Sequence, residues 1–444
     1  MNPLLLSGFG ISVNVDKRRL VINNKTKNEK REFYPHKIDY DNIVIDGHYG
    51  NVSFEALRWL SKHDISLTLL NWNGKLLSVA LPENPKTGKL RICQYQKYLD
   101  GNFRFKIATE ILKSKIKNSI NLLKELSRFY TINIESFKKS LNDEEIYYQN
   151  LLNDFKSSDF KADSFKKDYL KNEFKNSDLK NDLSFKNSTN SLKLLQILLT
   201  YEGRIATLYW SELEKVFKVL KPEFNFKNRK NKSYSRNYNA SDEINALLNY
   251  GYSILESQIR KAINSVGLDP TIGFLHEITT SRTPLVYDIQ ELFRWIVDLS
   301  VIQLLEDGKL KKSDFIITEN YHTRLREDTA KLLIDKIRLN FSLKIPYKSG
   351  KNYYYSIILE DNIKQLANHV LGKSKNFEFQ IPEIQLRRND ILELKEKIVS
   401  MTPEERKILG INKSTLWYIK KNLKNGKSIK FYDKILFKLD KDNI

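Results

Sequence analysis

The hydrophobic period of the chain changes once, near residue 98, and the change separates two kinds of fold. Before it, short runs such as "ISVNV", "RLVIN", "NIVID", "ISLTLLN" and "KLLSVAL" are rich in Val, Ile and Leu and lie between turn residues, which is strand patterning. After it, from "FKIATEILKSKIKNSINLLKEL" to about residue 345, apolar residues recur at helical spacing with interruptions. The expectation is an α+β chain, with a β-rich domain over residues 1–98 and a mainly α-helical domain over 99–380. The length, 444 residues, allows two or three units that each bury a core.

One helix is expected inside the first region, "SFEALRWLSKH", with Ser53 placed to accept the orphan amides at its start. In "NWNGK", Asn73 and Gly74 can both take positive φ, which predicts a tight hairpin between the last two strands.

Two stretches depart from the helical pattern. Over 155–190 an apolar residue followed by Lys recurs about every five positions, which fits neither period. Mixed with Asp, Glu, Asn and Ser, it buries too little to offset ordering and reads as a mobile or loosely helical insertion. Residues 381–444 form a further small helical unit. Thr402, Pro403 and Glu405 make a reciprocally capped helix start, Gly410 ends that helix, and "KSTLWYIKKNL" follows, a helix-turn-helix arrangement. Lys413, Ser414, Thr415, Tyr418 and Lys421 would there meet a groove or phosphates, although helical hairpins serve protein contacts equally well.

Lys and Arg total 75 against 54 Asp and Glu, a surplus of 21 that points to a polyanionic partner, with solubility as the plain alternative. The one cysteine, Cys93, excludes an internal disulfide, a cysteine-ligated zinc and a CxxC redox motif, and fits a reducing cytoplasm. No secretory n-region and no run of about 18 apolar residues occurs, so a soluble cytoplasmic protein without membrane contact is expected.

The chemistry is sought where acids interrupt apolar helices. In "GFLHEITTSRTPLVYDIQELFR", Asp288 and Glu291 lie three apart on one helix face, and His276 follows the Gly273 turn upstream. In "LLQILLTYEGRIATLYW", Glu202 breaks a strongly apolar helix, where a glutamate is paired or bound to a cation if buried. The adjacent Gly203 predicts close approach of another group, since glycine costs a helix about 1 kcal/mol. Each residue also has a plain reading: a satisfied core histidine, and carboxylates in salt bridges, with Arg294 at helical spacing from Asp298. Carboxylates with one imidazole suit Mg²⁺ or Mn²⁺, and in a basic chain such an ion works on phosphate. No GxSxG, P-loop or GxGxxG is present, so the nucleophile would be water or a nucleic-acid hydroxyl.

At these residues the chain resembles a known family. "YEGRIATLYW", "NALLNYGYSILESQIRKAINSVGLDPTIGFLHE" and "PLVYDIQELFRWIVDL" are similar, in order and spacing, to the CRISPR-associated endonuclease and integrase of the adaptation module, the Cas-one family. The likeness runs from about residue 3 to 380. It implies an N-terminal β-sandwich domain that helps form a homodimer and a C-terminal α-helical catalytic domain. It implies metal ligands at Glu202, His276 and Glu291, with Asp288 as a supporting acid. Arg236 and Asn245 match family positions near the pocket and DNA, and Lys115 with Asn118 matches a recurrent pair, so the resemblance makes Arg236, Asn245 and Lys115 candidate DNA contacts; by residue type alone, Lys115 would be a solvated helix face.

The resemblance also implies double-stranded and branched DNA as substrates, and a hetero-hexamer with a small companion adaptation protein, Cas-two. The reaction implied is insertion of short duplexes into a CRISPR array by 3′-hydroxyl transesterification. Two other readings stay open. Casposases, transposon-borne relatives with a similar tail, use the same chemistry on their own ends, and a non-catalytic helix-turn-helix regulator would need only the tail.

Overall fold

The structure is a computed structural model that describes residues 2–71, 73–82, 87–156, 183–229, 240, 242–278, 283–318, 322–382, 384, 401–408 and 412–424. It comprises two compact units, Met1–Glu383 and Ile384–Ile444.

The first unit begins with six strands: β1 (Pro3–Asp16), β2 (Arg19–Asn24), β3 (Glu29–Phe33), β4 (Asn42–Val52), β5 (Ser66–Leu70) and β6 (Leu76–Ala80). They form one sheet in the order β3-β2-β1-β4-β5-β6, parallel at β1/β4 and β4/β5 and antiparallel elsewhere. The register of β1 against β4 slips on either side of Phe9, so the strand's buried set switches from Leu4 and Leu6 to Ile11 and Val13. Residues from both halves of the sheet thereby share one core with helix α1 (Phe54–Lys62), centred on Leu20, Ile22, Ile43, Trp59 and Leu60. As expected, Ser53 caps α1, its Oγ accepting from Ala56 N at 3.1 Å.

The β5–β6 connection differs from the expected two-residue turn. The register slips between Leu69 and Leu70, which leaves Leu77 of β6 as the extra residue, Asn71 N donates to Lys75 O at 2.7 Å, and of Asn73 and Gly74 only Gly74 takes positive φ (+74°). The Asn73 side chain instead accepts from Lys75 N at 3.1 Å, which closes a longer loop.

The helical region follows. It comprises α2 (Gly88–Leu99), α3 (Gly101–Leu126), α4 (Ile134–Lys156), α5 (Leu183–Leu220), α6 (Glu243–Val266), α7 (Pro284–Glu306), α8 (Glu327–Phe341) and α9 (Tyr355–Val370). Two small hairpins, β7/β8 (Phe315–Ile317, Thr323–Leu325) and β9/β10 (Lys344–Pro346, Asn352–Tyr354), lie between the later helices. The ends of the 155–190 stretch are the last turn of α4 and the first turns of α5, and the rest of it lies outside the described residues.

Helix α7 is the centre of this region. Pro284 at its first turn leaves no amide to satisfy, and Leu285, Ile289, Leu292 and Ile296 are fully buried, each stabilising by about 1.5–3 kcal/mol relative to exposure. Its neighbour α6 crosses it closely at Gly251, where a Cβ would come within 2.5 Å of Val297 Cγ1. The sheet docks on α6, where Asn42 Nδ2 donates to Ser257 Oγ at 3.2 Å, and on β8, where Arg324 pairs with Asp46.

In the second unit, α10 (Pro403–Ile408) and α11 (Lys413–Lys424) are present. The reciprocal cap is as expected, with Thr402 N donating to Glu405 Oε2 at 2.9 Å and Glu405 N to Thr402 Oγ1 at 3.2 Å. The turn between these helices, with Gly410, lies outside the described residues.

Candidate active site

Helix α7 carries Asp288 and Glu291 on its buried side, and the segment before it bends back so that His276 meets Asp288. That bend depends on Gly273, where a Cβ would stand 2.6 Å from Pro284 Cβ and 2.9 Å from Asp288 Oδ2. Without a side chain there, the Asp288 carboxylate collects three backbone amides: Phe274 N, Leu275 N at 3.1 Å and His276 N at 3.0 Å. Its Oδ1 is also 2.8 Å from His276 Nδ1. A carboxylate so surrounded by donors can only accept from the ring, so Nδ1 carries the proton and Nε2 the lone pair. Asp288 is fully buried and has its lone pairs engaged, so its carboxylate holds the ring and the backbone before α7 in place.

The same segment is clamped from α2 and α3. Gln94, fully buried, donates to Asp269 O at 2.9 Å and Ile272 O at 2.8 Å and accepts from Asp269 N at 2.8 Å. Arg104, 4% exposed, donates to Phe274 O at 3.0 Å and pairs with Glu277 at 2.7 Å. Arg104 was legible in principle. It shares the buried face of α3 with Ile107, Ala108 and Ile111, at spacings of three, four and seven, where a charged residue requires a partner.

Glu202 and Glu291 come together around one cation. Lys115 Nζ, from α3, contacts Glu202 Oε1 and stands 2.7 Å from Glu291 Oε2. Arg294 Nη1 donates to Glu291 Oε1 at 2.8 Å. Burial would raise the Glu291 pKa, but Arg294, Lys115 and His276 outweigh it and hold the carboxyl far below the usual range. Burial likewise pulls the Lys115 ammonium down, and the two glutamates more than restore it. The Lys115 ion pair leaves Glu291 Oε2 without a well-directed hydrogen bond. Lys115 is therefore a largely buried member of the site, 17% exposed, and neither a solvated face nor an open DNA contact. Asn118, one turn on, is buried and donates to Leu292 O at 2.9 Å, pinning α3 to α7.

The plain salt-bridge alternative is realised with a different partner. Arg294 takes Glu291 and lies over the Tyr252 ring at 4.4 Å, while Asp298 accepts from Tyr209 Oη at 2.7 Å and from Tyr252. Tyr209 and Tyr252, unremarked in sequence, thus support the site from beneath. Asn245 is 4% exposed, and its amide is used inside the protein: Nδ2 donates to Asn228 O at 3.0 Å and Asp242 Oδ2 at 2.6 Å, and Oδ1 accepts from Arg229 at 2.6 Å. In place of the expected DNA contact it braces the start of α6. Arg236 lies outside the described residues. No described atom lies within 4 Å of a Cβ built on Gly203, so the close approach expected there is not made by the described part of the chain. Lys413 and Lys421 are exposed on α11, Lys421 Nζ lying 4.8 Å over Trp417.

Two carboxylates that reach one ammonium define a place where a cation is held, and two carboxylates with an imidazole form a donor set for a hard divalent ion. His276 is electrostatically coupled to Glu291, but it is turned to Asp288. Among the described residues, no three His, Cys, Asp or Glu side chains are gathered as a metal-holding group. Nor is any described helix long and apolar enough to cross a membrane.

Comparison with known proteins identifies the family. Residues 4–338 match the sequence profile of "CRISPR associated protein Cas1". A CRISPR-associated endonuclease Cas1 of Archaeoglobus fulgidus is 28% identical over 373 residues, covering 84% of this chain and 97% of its own. A second, from Francisella tularensis subsp. novicida, is 28% identical over 378 residues with the same coverage. Among solved structures, a casposase bound to integration product aligns at 32% identity and a TM-score of 0.71, covering 90% of this chain and 99% of its own. A CAS1 protein from Thermotoga maritima shares the fold at 17% identity and a TM-score of 0.62. The chain belongs to the Cas1 endonuclease/integrase family.

Proposed function

We propose that the protein is a metal-dependent DNA endonuclease and integrase that inserts short duplexes into a CRISPR array, joining DNA 3′-hydroxyl ends to target strands by transesterification. The observation that supports this most is the convergence of Glu202 and Glu291 on one cation beside the Asp288-held His276, in a chain of this family. Glu202, Glu291 and His276 Nε2 would hold Mg²⁺ or Mn²⁺. When bound, such an ion neutralises phosphate charge and stabilises the attacking or leaving oxygen. Asp288 keeps the His276 proton on Nδ1, Arg294 keeps Glu291 ionised, and the Gln94 and Arg104 clamps keep the 269–276 segment from shifting the imidazole. The net charge of +21 favours two DNA partners. A homodimer, and a hetero-hexamer with the companion Cas2-type protein, extend the proposal; a solved complex containing Cas1 and Cas2 has this fold at 18% identity.

A second reading, a casposase-type transposon integrase, has its own support. The casposase match covers 90% of the chain, more than the first compact unit comprises, whereas the Archaeoglobus fulgidus and Francisella tularensis Cas1 relatives each span 84%. It therefore reaches into the helical tail.

The test is joining of a 3′-hydroxyl oligonucleotide to plasmid with Mn²⁺ or Mg²⁺. Activity is expected in the native protein and lost in Glu202→Ala, His276→Ala and Glu291→Ala; unchanged joining in all three rejects these ligands. Comparing a CRISPR leader-repeat with transposon ends, with and without the companion, separates the two readings.

A further inference from the structure

Lys115 is placed by helix packing. Its helix, α3, is pinned at this level by Asn118 on Leu292 O, which aims the lysine stem at the two glutamates. The ammonium contacts Glu202 Oε1 and stands 2.7 Å from Glu291 Oε2, and the side chains of Lys115 and Glu291 are 17% and 6% exposed. Without that charge, two carboxylates would face each other with Arg294 on one oxygen of Glu291 only, and like charges in a partly desolvated site repel.

We infer that Lys115 is a built-in counter-cation that holds Glu202 and Glu291 together in the metal-free protein and must be displaced before a divalent ion binds between them. The inference rests on the reading of those glutamates as metal ligands. An ammonium and a dication cannot share one position, because the repulsion at contact is too large. The flexible four-carbon stem of lysine lets the charge swing aside while its helix stays in place. Lys115 thus preserves the spacing of the carboxylates between turnovers, and the apparent affinity for metal falls by the fraction of molecules in which the ammonium is out of the way.

The experiment measures Mn²⁺ binding without DNA, from the electron paramagnetic resonance signal of free Mn²⁺. Lys115→Met and Lys115→Gln are expected to bind Mn²⁺ about tenfold more tightly than the native protein and to melt at lower temperature when metal-free. Lys115→Arg, which keeps the charge, stays near native affinity. If the neutral variants bind no more tightly while Glu202→Gln with Glu291→Gln abolishes native binding, the displacement is wrong and the ligand assignment stands. If that double substitution leaves native binding intact, the ligand assignment fails and the inference with it. A second measurement needs no variant: acetylation of Lys115 in the native protein, followed by mass spectrometry, is expected to rise on addition of Mn²⁺, and unchanged labelling overturns the displacement.

Discussion

Asp288 Oδ1 and His276 Nδ1 lie 2.8 Å apart, and the same carboxylate receives the amides of residues 274 to 276, so one buried acid sets both the ring and the backbone that carries it. Asp288→Asn places an amide donor among donors. The expected result is a stability loss of about 2–4 kcal/mol, read by thermal denaturation. Mn²⁺ affinity is expected to fall about 10–100-fold, because the imidazole tautomer is no longer held. Native-like affinity in a folded Asp288→Asn protein excludes this positioning part.

The two glycines of the site are expected to respond oppositely to alanine. At Gly273 the new Cβ meets Pro284 Cβ at 2.6 Å and the Pro284 carbonyl carbon at 2.8 Å, so backbone must move, at about 1–3 kcal/mol. At Gly203 nothing described lies within 4 Å, and alanine stabilises the helix by up to about 1 kcal/mol. Chemical denaturation of both variants checks the signs. A stabilised Gly273→Ala shows that the 273–276 bend tolerates a side chain.

What the sequence disclosed and what it withheld follow from range. The single change of period, the Ser53 and Thr402/Glu405 caps and the α7 face carrying Asp288 and Glu291 are local signals, read over a few residues, and the structure has them all. The partnerships are not local. Lys115 and Glu202 are separated by 87 positions, and Tyr209 and Asp298 by 89, so nothing in residue spacing reports them. Arg294 shows the limit: helical spacing offered Asp298, but two tyrosines from α5 and α6 had already engaged that acid, and the guanidinium turned to Glu291. Asn245 and Lys115, set down as DNA contacts by resemblance, are drawn inward by α6 and α3 respectively.

Arg294 therefore carries a testable share of the Glu291 charge. Arg294→Met leaves a carboxylate that is 6% exposed with Lys115 as its remaining cation. The expected cost is about 2–3 kcal/mol, below that of a wholly unpaired buried charge because one partner persists. The Glu291 pKa rises toward the normal range, so the variant loses stability at a higher pH on acidification than the native protein does. Urea denaturation at pH 7 measures the cost, and repeating it down to about pH 2 measures the shift; an unchanged stability at pH 7 contradicts the pairing.

The exposed lysines of α11 give a test of the proposed DNA contact. If Lys413 and Lys421 meet phosphates, replacing both by alanine weakens duplex binding and lowers the slope of log K against log salt by about 2. Melting of the first unit should be unchanged, since the two units are separately compact. A fluorescence anisotropy titration over salt gives the slope, and an unaltered slope assigns this face to a protein contact instead.

His276 gives the pH dependence of the metal-free protein. Burial lowers its pKa, but the hydrogen bond and charge of Asp288 outweigh burial, so the folded value lies above the 6.5 of a free imidazole. A raised folded pKa means that the folded state binds the proton more tightly than the unfolded chain. The stabilisation is therefore complete below about pH 6.5 and is lost as pH rises through the folded value. Subtracting the unfolding free energy of His276→Gln from that of the native protein at each pH isolates the effect, which is expected to shrink between pH 6 and 9. In an Asp288→Asn background the same difference should flatten, because the partner that raises the ring is gone. A difference that grows with pH in the native background means that burial outweighs the pairing with Asp288 and reverses the sign.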